Sequence, residues 1–196
     1  MYKIIKSIII IFVCKILFRV KYENVEILEK YEKCMLCANH SRIYDPIFIK
    51  PKVDNMYCVA KQDLYKNKIM ANLLTHYDAI PIKRNAIDRT VEKTIVDLLK
   101  NKEKIRLLIF PEGGIYKENY IENKRKTKKG AMRFAAMANV PIIPIYITSR
   151  PRYFSKVTVT FGDAIIPKQG VLEDKKLLND EAQMLINTIY EIKKQK

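Results

Sequence analysis

The chain has 196 residues, with 37 lysines and arginines against 21 aspartates and glutamates, a formal charge of +16. That length suits one domain with a sizeable core, and a 48% hydrophobic content excludes wholesale disorder. Five glycines and eight prolines exclude collagen-like and low-complexity chains, and the excess positive charge calls for an anionic partner: nucleic acid, acidic lipid or an acidic carrier.

Residues 1–20 read MYKIIKSIIIIFVCKILFRV. Their uncharged run, 7–14, is too short to span a bilayer, which takes about 20 residues, and Lys15 and Arg19 interrupt any extension. No small-residue cleavage site follows, so the run does not read as a secretory signal. On a helical wheel Ile5, Ile9, Phe12, Val13, Ile16 and Val20 form one apolar stripe, with Lys3, Lys6, Lys15 and Arg19 off it. The pattern predicts an N-terminal amphipathic helix over 1–20, lying in the membrane interface ahead of a domain over 21–196. The plainer reading is a helix packed on that domain.

Strand patterns follow at 33–39, 55–61, 79–83, 105–110, 141–148 and 156–161; the 105–110 run is apolar enough for a central strand covered on both faces. Between them Asp88 can cap a helix burying Val91, Ile95, Leu98 and Leu99. Thr127 can cap another that buries Ala131, Phe134, Ala135 and Ala138. A last helix, about 177–194, buries Leu178, Ala182, Leu185, Ile189 and Ile192. The alternation predicts a single α/β domain, with a mostly parallel or mixed central sheet flanked by helices on both faces.

Of the four cysteines, Cys14, Cys34, Cys37 and Cys58, the pair Cys34-Met-Leu-Cys37 has the spacing of half a zinc site. No second pair exists to close it, so reduced, packed thiols are expected and no metal. Reduced thiols and a lysine-rich surface point to the cytoplasmic side of a membrane.

Four segments could carry chemistry. Asn39-His40-Ser41-Arg42-Ile43-Tyr44-Asp45-Pro46 begins where a strand ends. On one continuous helix His40 and Asp45 would point about 140° apart; a loop can fold them together, with Pro46 starting the helix behind. The carboxylate would then hold one ring nitrogen and leave the other as a general base. The plainer reading makes Asp45 an N-cap and His40 a satisfied polar residue. Phe110-Pro111-Glu112-Gly113-Gly114 follows another strand, where Glu112 could orient a hydroxyl and Gly113 let the backbone approach a ligand; a tight turn explains the same residues. Ile80-Pro81-Ile82-Lys83-Arg84 runs a strand into two cations suited to phosphate or simply to water. Val140-Pro141-Ile142-Ile143-Pro144-Ile145 looks structural. The cations Lys124, Arg125, Lys126, Lys128 and Lys129 precede a helix.

Together, in this order and spacing, NHSRIYD, IPIKR, FPEG and VPIIPI resemble the four blocks of the glycerolipid acyltransferases typified by 1-acylglycerol-3-phosphate (lysophosphatidic acid) acyltransferase. The resemblance spans about residues 33–167. It departs after FPEG, where the family usually has a serine or threonine and an arginine, and this chain has Gly114 and Ile115.

The resemblance implies that His40 takes the proton of a glycerol hydroxyl and Asp45 fixes the imidazole. It implies that Arg84, with Lys83, holds the acceptor phosphate, and that Glu112 and Gly113 shape the glycerol pocket. The implied reaction moves a fatty acyl group from acyl-carrier protein or acyl-CoA to a lysophospholipid, giving phosphatidic acid, with no acyl-enzyme and no cofactor. Acylation of glycerol 3-phosphate or another lysolipid uses the same blocks. The implied setting is peripheral or monotopic, on an anionic membrane surface at the cytoplasmic face. A non-catalytic basic protein remains the other class, but the chain has no aromatic–basic pattern of a nucleic-acid module, so no nucleic acid is expected.

Overall fold

Three runs of almost unbroken apolar residues, 33–38, 105–109 and 142–147, become adjacent strands at the centre of the sheet, buried on both faces. The computed structural model describes residues 12–76, 78–82, 89–115, 127–148 and 151–193. Among these, the strands are β1 (Arg19–Glu23), β2 (Lys33–Ala38), β3 (Met56–Lys61), β4 (Ala79–Ile82), β5 (Ile105–Ile109), β6 (Ile142–Ile147) and β7 (Lys156–Phe161). They form one mixed sheet in the order β1-β7-β6-β2-β5-β3-β4, parallel except for the β6–β7 pair.

The helices are α1 (Asp45–Ile49), α2 (Lys68–His76), α3 (Arg89–Asn101), α4 (Gly130–Ala138) and α5 (Lys175–Glu191). Period-two alternation along β2 splits the core. Met35 and Cys37 face α3, α4 and α5. Cys34, Leu36 and Ala38 face α1 and two short helical segments, Phe12–Leu17 and Val25–Lys30. This alternation also settles the cysteine pair: Cys34 and Cys37 lie on opposite faces and cannot share a metal. All four cysteines are buried free thiols.

The first segment differs from expectation. Residues 1–11, with Ile5 and Ile9, lie outside the described residues. Phe12–Leu17 winds as a π-helix, and the Phe18 N–H donates to the Val13 carbonyl. A stripe drawn at the α-helical period drifts off the buried face of such a segment. Cys14 and Phe18 therefore enter the core, while Ile16 is 55% exposed. The expected helix does not reach Val20: Arg19 and Val20 belong to β1, an edge strand paired with β7. Helix caps differ too. The Thr127 hydroxyl donates to the Lys128 carbonyl rather than capping α4. Asp174 caps α5, accepting from Lys176 and Leu177 N–H at 2.7 and 3.2 Å. Asp88 lies outside the described residues.

Candidate active site

His40 follows the C-terminal end of β2, and Phe110 follows the end of its parallel neighbour β5, at the sheet edge where α/β proteins place their ligands. The chain turns sharply after His40. The Asp45 side chain makes that turn: its Oδ2 accepts the N–H of Ser41 at 2.7 Å, the N–H of Arg42 at 2.8 Å and His40 Nδ1 at 3.0 Å. Asp45 is fully buried and opens α1, with Pro46 behind it. Its carboxylate thus reaches back to the preceding loop rather than capping the helix it begins. With Nδ1 facing the carboxylate, Nδ1 carries the proton and Nε2 is the basic nitrogen. The imidazole stacks on Phe110, centroids 3.9 Å apart and planes at 18°.

Two further contacts fix the loop from outside. Asn39, 1% exposed, donates from Nδ2 to the Ile147 carbonyl at 2.9 Å and accepts the Ile147 N–H at 2.7 Å. The His40 N–H donates to Glu112 Oε2 at 3.0 Å, and the Tyr190 hydroxyl donates to Glu112 Oε1. Glu112 is buried. Its carboxylate holds the backbone of the histidine.

Beside His40 opens a cavity of about 440 Å³. Apolar side chains dominate it: Ile43, Tyr44 and Ile47 around α1, Val59 and Ala60 of β3, Leu64, Met70 and Leu74 around α2, Ile82 of β4, and Phe134 of α4. Lys61, Lys128 and Lys129 supply its cations, with Gly113 and the start of α4 between them. Gly113 has φ +74°, and a Cβ there would sit 3.0 Å from Lys128 Cγ, so the position requires glycine. The Lys128 N–H donates to the Pro111 carbonyl at 2.7 Å, tying the turn to the start of α4.

Lys83 and Arg84 lie outside the described residues; they follow Ile82, which lines the cavity. Lys124, Arg125 and Lys126 are likewise outside. Cys58 lines the cavity and is buried. Burial pushes the Cys14 thiol up to about 11 and that of Cys34 to about 12, and raises Cys37 further, so these three stay protonated and are poor nucleophiles. Asn39 heads the NHSRIYD block but is given no role by the sequence, and Tyr190 is not singled out by it. Both act across the fold, which no local spacing shows.

Comparison with known proteins gives the chain relatives over most of its length. The acyltransferase family model matches residues 19–148. An uncharacterised acyltransferase of Schizosaccharomyces pombe is 31% identical, the match covering 89% of this chain and 67% of that protein. The 1-acyl-sn-glycerol-3-phosphate acyltransferase of Streptococcus pneumoniae is 27% identical over 92% of this chain and 66% of its own length. The chain thus spans about two thirds of the length of these relatives. In fold it is similar to the crystal structure of the 1-acyl-sn-glycerophosphate (LPA) acyltransferase PlsC from Thermotoga maritima. The TM-score is 0.65 at 21% identity, covering 89% of this chain and 72% of that one. With a family model matched from β1 to the end of β6, and the histidine–aspartate pair set at the carboxyl edge of that same sheet, this chain belongs to the glycerolipid acyltransferase family.

Proposed function

We propose that the protein transfers a fatty acyl group from an acyl thioester, acyl-CoA or acyl-carrier protein, to the free hydroxyl of 1-acylglycerol 3-phosphate, giving phosphatidic acid. The observation that carries this is the 3.0 Å contact between His40 Nδ1 and Asp45 Oδ2 at the side of an apolar cavity with a cationic rim. Nε2 takes the hydroxyl proton as the oxygen attacks the thioester carbonyl. The tetrahedral intermediate collapses, the C–S bond breaks, and the departing sulfur takes the proton back from the imidazolium. Asp45 stabilises that imidazolium. The apolar wall suits an acyl chain. Lys61, Lys128 and Lys129, together with Arg84 and Lys83, suit the acceptor phosphate.

The same reading has the protein work peripherally, on the cytoplasmic face of an anionic membrane. Its support is the net charge of +16 and one cation-flanked apolar surface. Ile16, Tyr153 and Phe154 are exposed beside Lys15, Arg19 and Arg152. The Phe154 N–H donates to the Leu17 carbonyl, which joins these two stretches. Replacing Tyr153 and Phe154 together by serine reduces co-sedimentation with anionic vesicles; unchanged sedimentation removes this part of the reading.

A second acceptor class is favoured by one residue. Ile115, 48% exposed, stands where the family usually has an arginine, so a lysolipid without a terminal phosphate is the competing substrate. Product analysis over a panel of lysolipids and glycerol 3-phosphate, with both thioester donors, tests the proposal. Phosphatidic acid formation lost in His40→Ala supports it. Wild-type turnover in His40→Ala overturns the assignment of the base.

A further inference from the structure

Tyr190 sits near the C-terminal end of α5, 78 residues along the chain from Glu112, and its hydroxyl donates to Glu112 Oε1. The other oxygen of that carboxylate accepts the His40 N–H. His40 has just left β2, so its N–H has no place in the sheet's own hydrogen-bond ladder, and Glu112 supplies the acceptor. A donor on the second oxygen limits the rotation of that carboxylate. Helix α5 is well placed to offer one. It is capped by Asp174 and buries Leu178, Ala182, Leu185, Ile186 and Ile189, and the Tyr190 ring meets Tyr146 edge-on at 6.0 Å.

We propose that Tyr190 is a positioning residue for acyl transfer: through Glu112 it holds the main chain of His40, and so the aim of the imidazole at the acceptor hydroxyl. The inference rests on the reading of His40 as the base. Asp45 sets the tautomer and one edge of the ring. Glu112 and Tyr190 set where the ring's own backbone stands. A 1 Å misplacement of a reacting group costs roughly a hundredfold in rate, so a loosened anchor acts on turnover while leaving the cavity walls intact.

The test uses steady-state kinetics with palmitoyl-CoA and lysophosphatidic acid, with thermal melting run in parallel. Tyr190→Phe keeps the ring and removes only the hydroxyl. It lowers kcat about tenfold, a fraction of that full misplacement cost, with both KM values near wild type and a melting temperature lower by only the few degrees that one lost hydrogen bond to a buried carboxylate brings. Glu112→Gln keeps an acceptor for the His40 N–H and is milder than Glu112→Ala, which loses it. Adding Tyr190→Phe to Glu112→Ala lowers kcat no further, because both act along one chain of contacts. Wild-type kcat in Tyr190→Phe overturns the proposal, as does a loss that disappears when the assay is run well below the variant's melting temperature, or a double variant whose losses multiply. His40→Ala, assayed alongside, separates the two ideas. Full activity there sinks the base assignment, whereas an inactive His40→Ala with an unaffected Tyr190→Phe sinks only the positioning role.

Discussion

The side chain of Asn39 pairs with the backbone of Ile147 as a strand would, giving one hydrogen bond and taking one, at 2.9 and 2.7 Å. It extends the β2–β6 contact one residue past the end of β2 by using an amide side chain in place of main chain. The residue before His40 is thereby locked to the last residue of β6.

Asn39→Ala leaves a buried N–H and a buried carbonyl of Ile147 without these partners. Each lost bond costs about 1 kcal/mol net, and more where the partner stays buried, so urea unfolding should report a loss of about 2–3 kcal/mol. Turnover falls with it, because His40 is the next residue. Asn39→Asp is no better at neutral pH, since a carboxylate sets a second acceptor against the Ile147 carbonyl. A full-stability Asn39→Asp protein contradicts this account of the pair.

Asp45→Asn has a more specific outcome. Oδ2 accepts two main-chain N–H groups besides the imidazole, so the amide oxygen must take its place and the NH2 group must fall where Oδ1 lies. Among the described residues Oδ1 is buried without a hydrogen-bond partner. The variant therefore keeps the turn and the Nδ1–H tautomer but loses the negative charge that stabilises the imidazolium. Its kcat falls by roughly 10²–10³, within the range of general-base catalysis, while the acceptor KM changes little. A matching rise in KM would show that Asp45 serves binding instead.

How much of this the sequence discloses depends on how local each cause is. The nearly all-apolar runs that become β2 and β5 are visible from neighbouring residues alone. The His40–Asp45 pair is legible because both partners lie in one eight-residue stretch with Pro46 to start α1. Strand β1 is not: it is a half-buried edge strand, and Val20 falls on a helical stripe drawn through the residues before it. Nor is the orientation of Glu112 legible. Its direction is set by Tyr190 and His40, each more than 70 residues away, and no spacing rule reaches that far.

The buried thiols give a pH prediction. Burial raises Cys14 from its ordinary 9.0 to about 11, and Cys34 from the same value to about 12. Between those limits the folded chain holds protons that the unfolded chain has lost. Stability from these groups is therefore complete below pH 9 and declines as pH rises through the folded values. Denaturant midpoints for wild type, Cys14→Ala and Cys34→Ala at pH 8 and pH 10 check this. Each variant should lose less between the two pH values than wild type does; equal losses in all three proteins would assign the alkaline decline to other groups.

The last prediction concerns the acceptor. Ile115 cannot donate a hydrogen bond, so on the phosphate reading recognition falls to Arg84 and Lys83, which follow β4, and to the lysines that line the cavity. A charge-assisted contact is worth about 1.5–3 kcal/mol, or roughly 10–100-fold in rate. Arg84→Ala should thus cut kcat/KM for lysophosphatidic acid by that factor, while Ile115→Arg leaves it unchanged or raises it. On the competing reading the wild type prefers a lysolipid lacking the terminal phosphate, and Arg84→Ala hardly matters. Measuring kcat/KM for both acceptors in wild type and both variants separates these outcomes. A wild-type preference for the uncharged acceptor, untouched by Arg84→Ala, would show that the isoleucine after FPEG marks a change of substrate rather than a redistribution of the phosphate contacts.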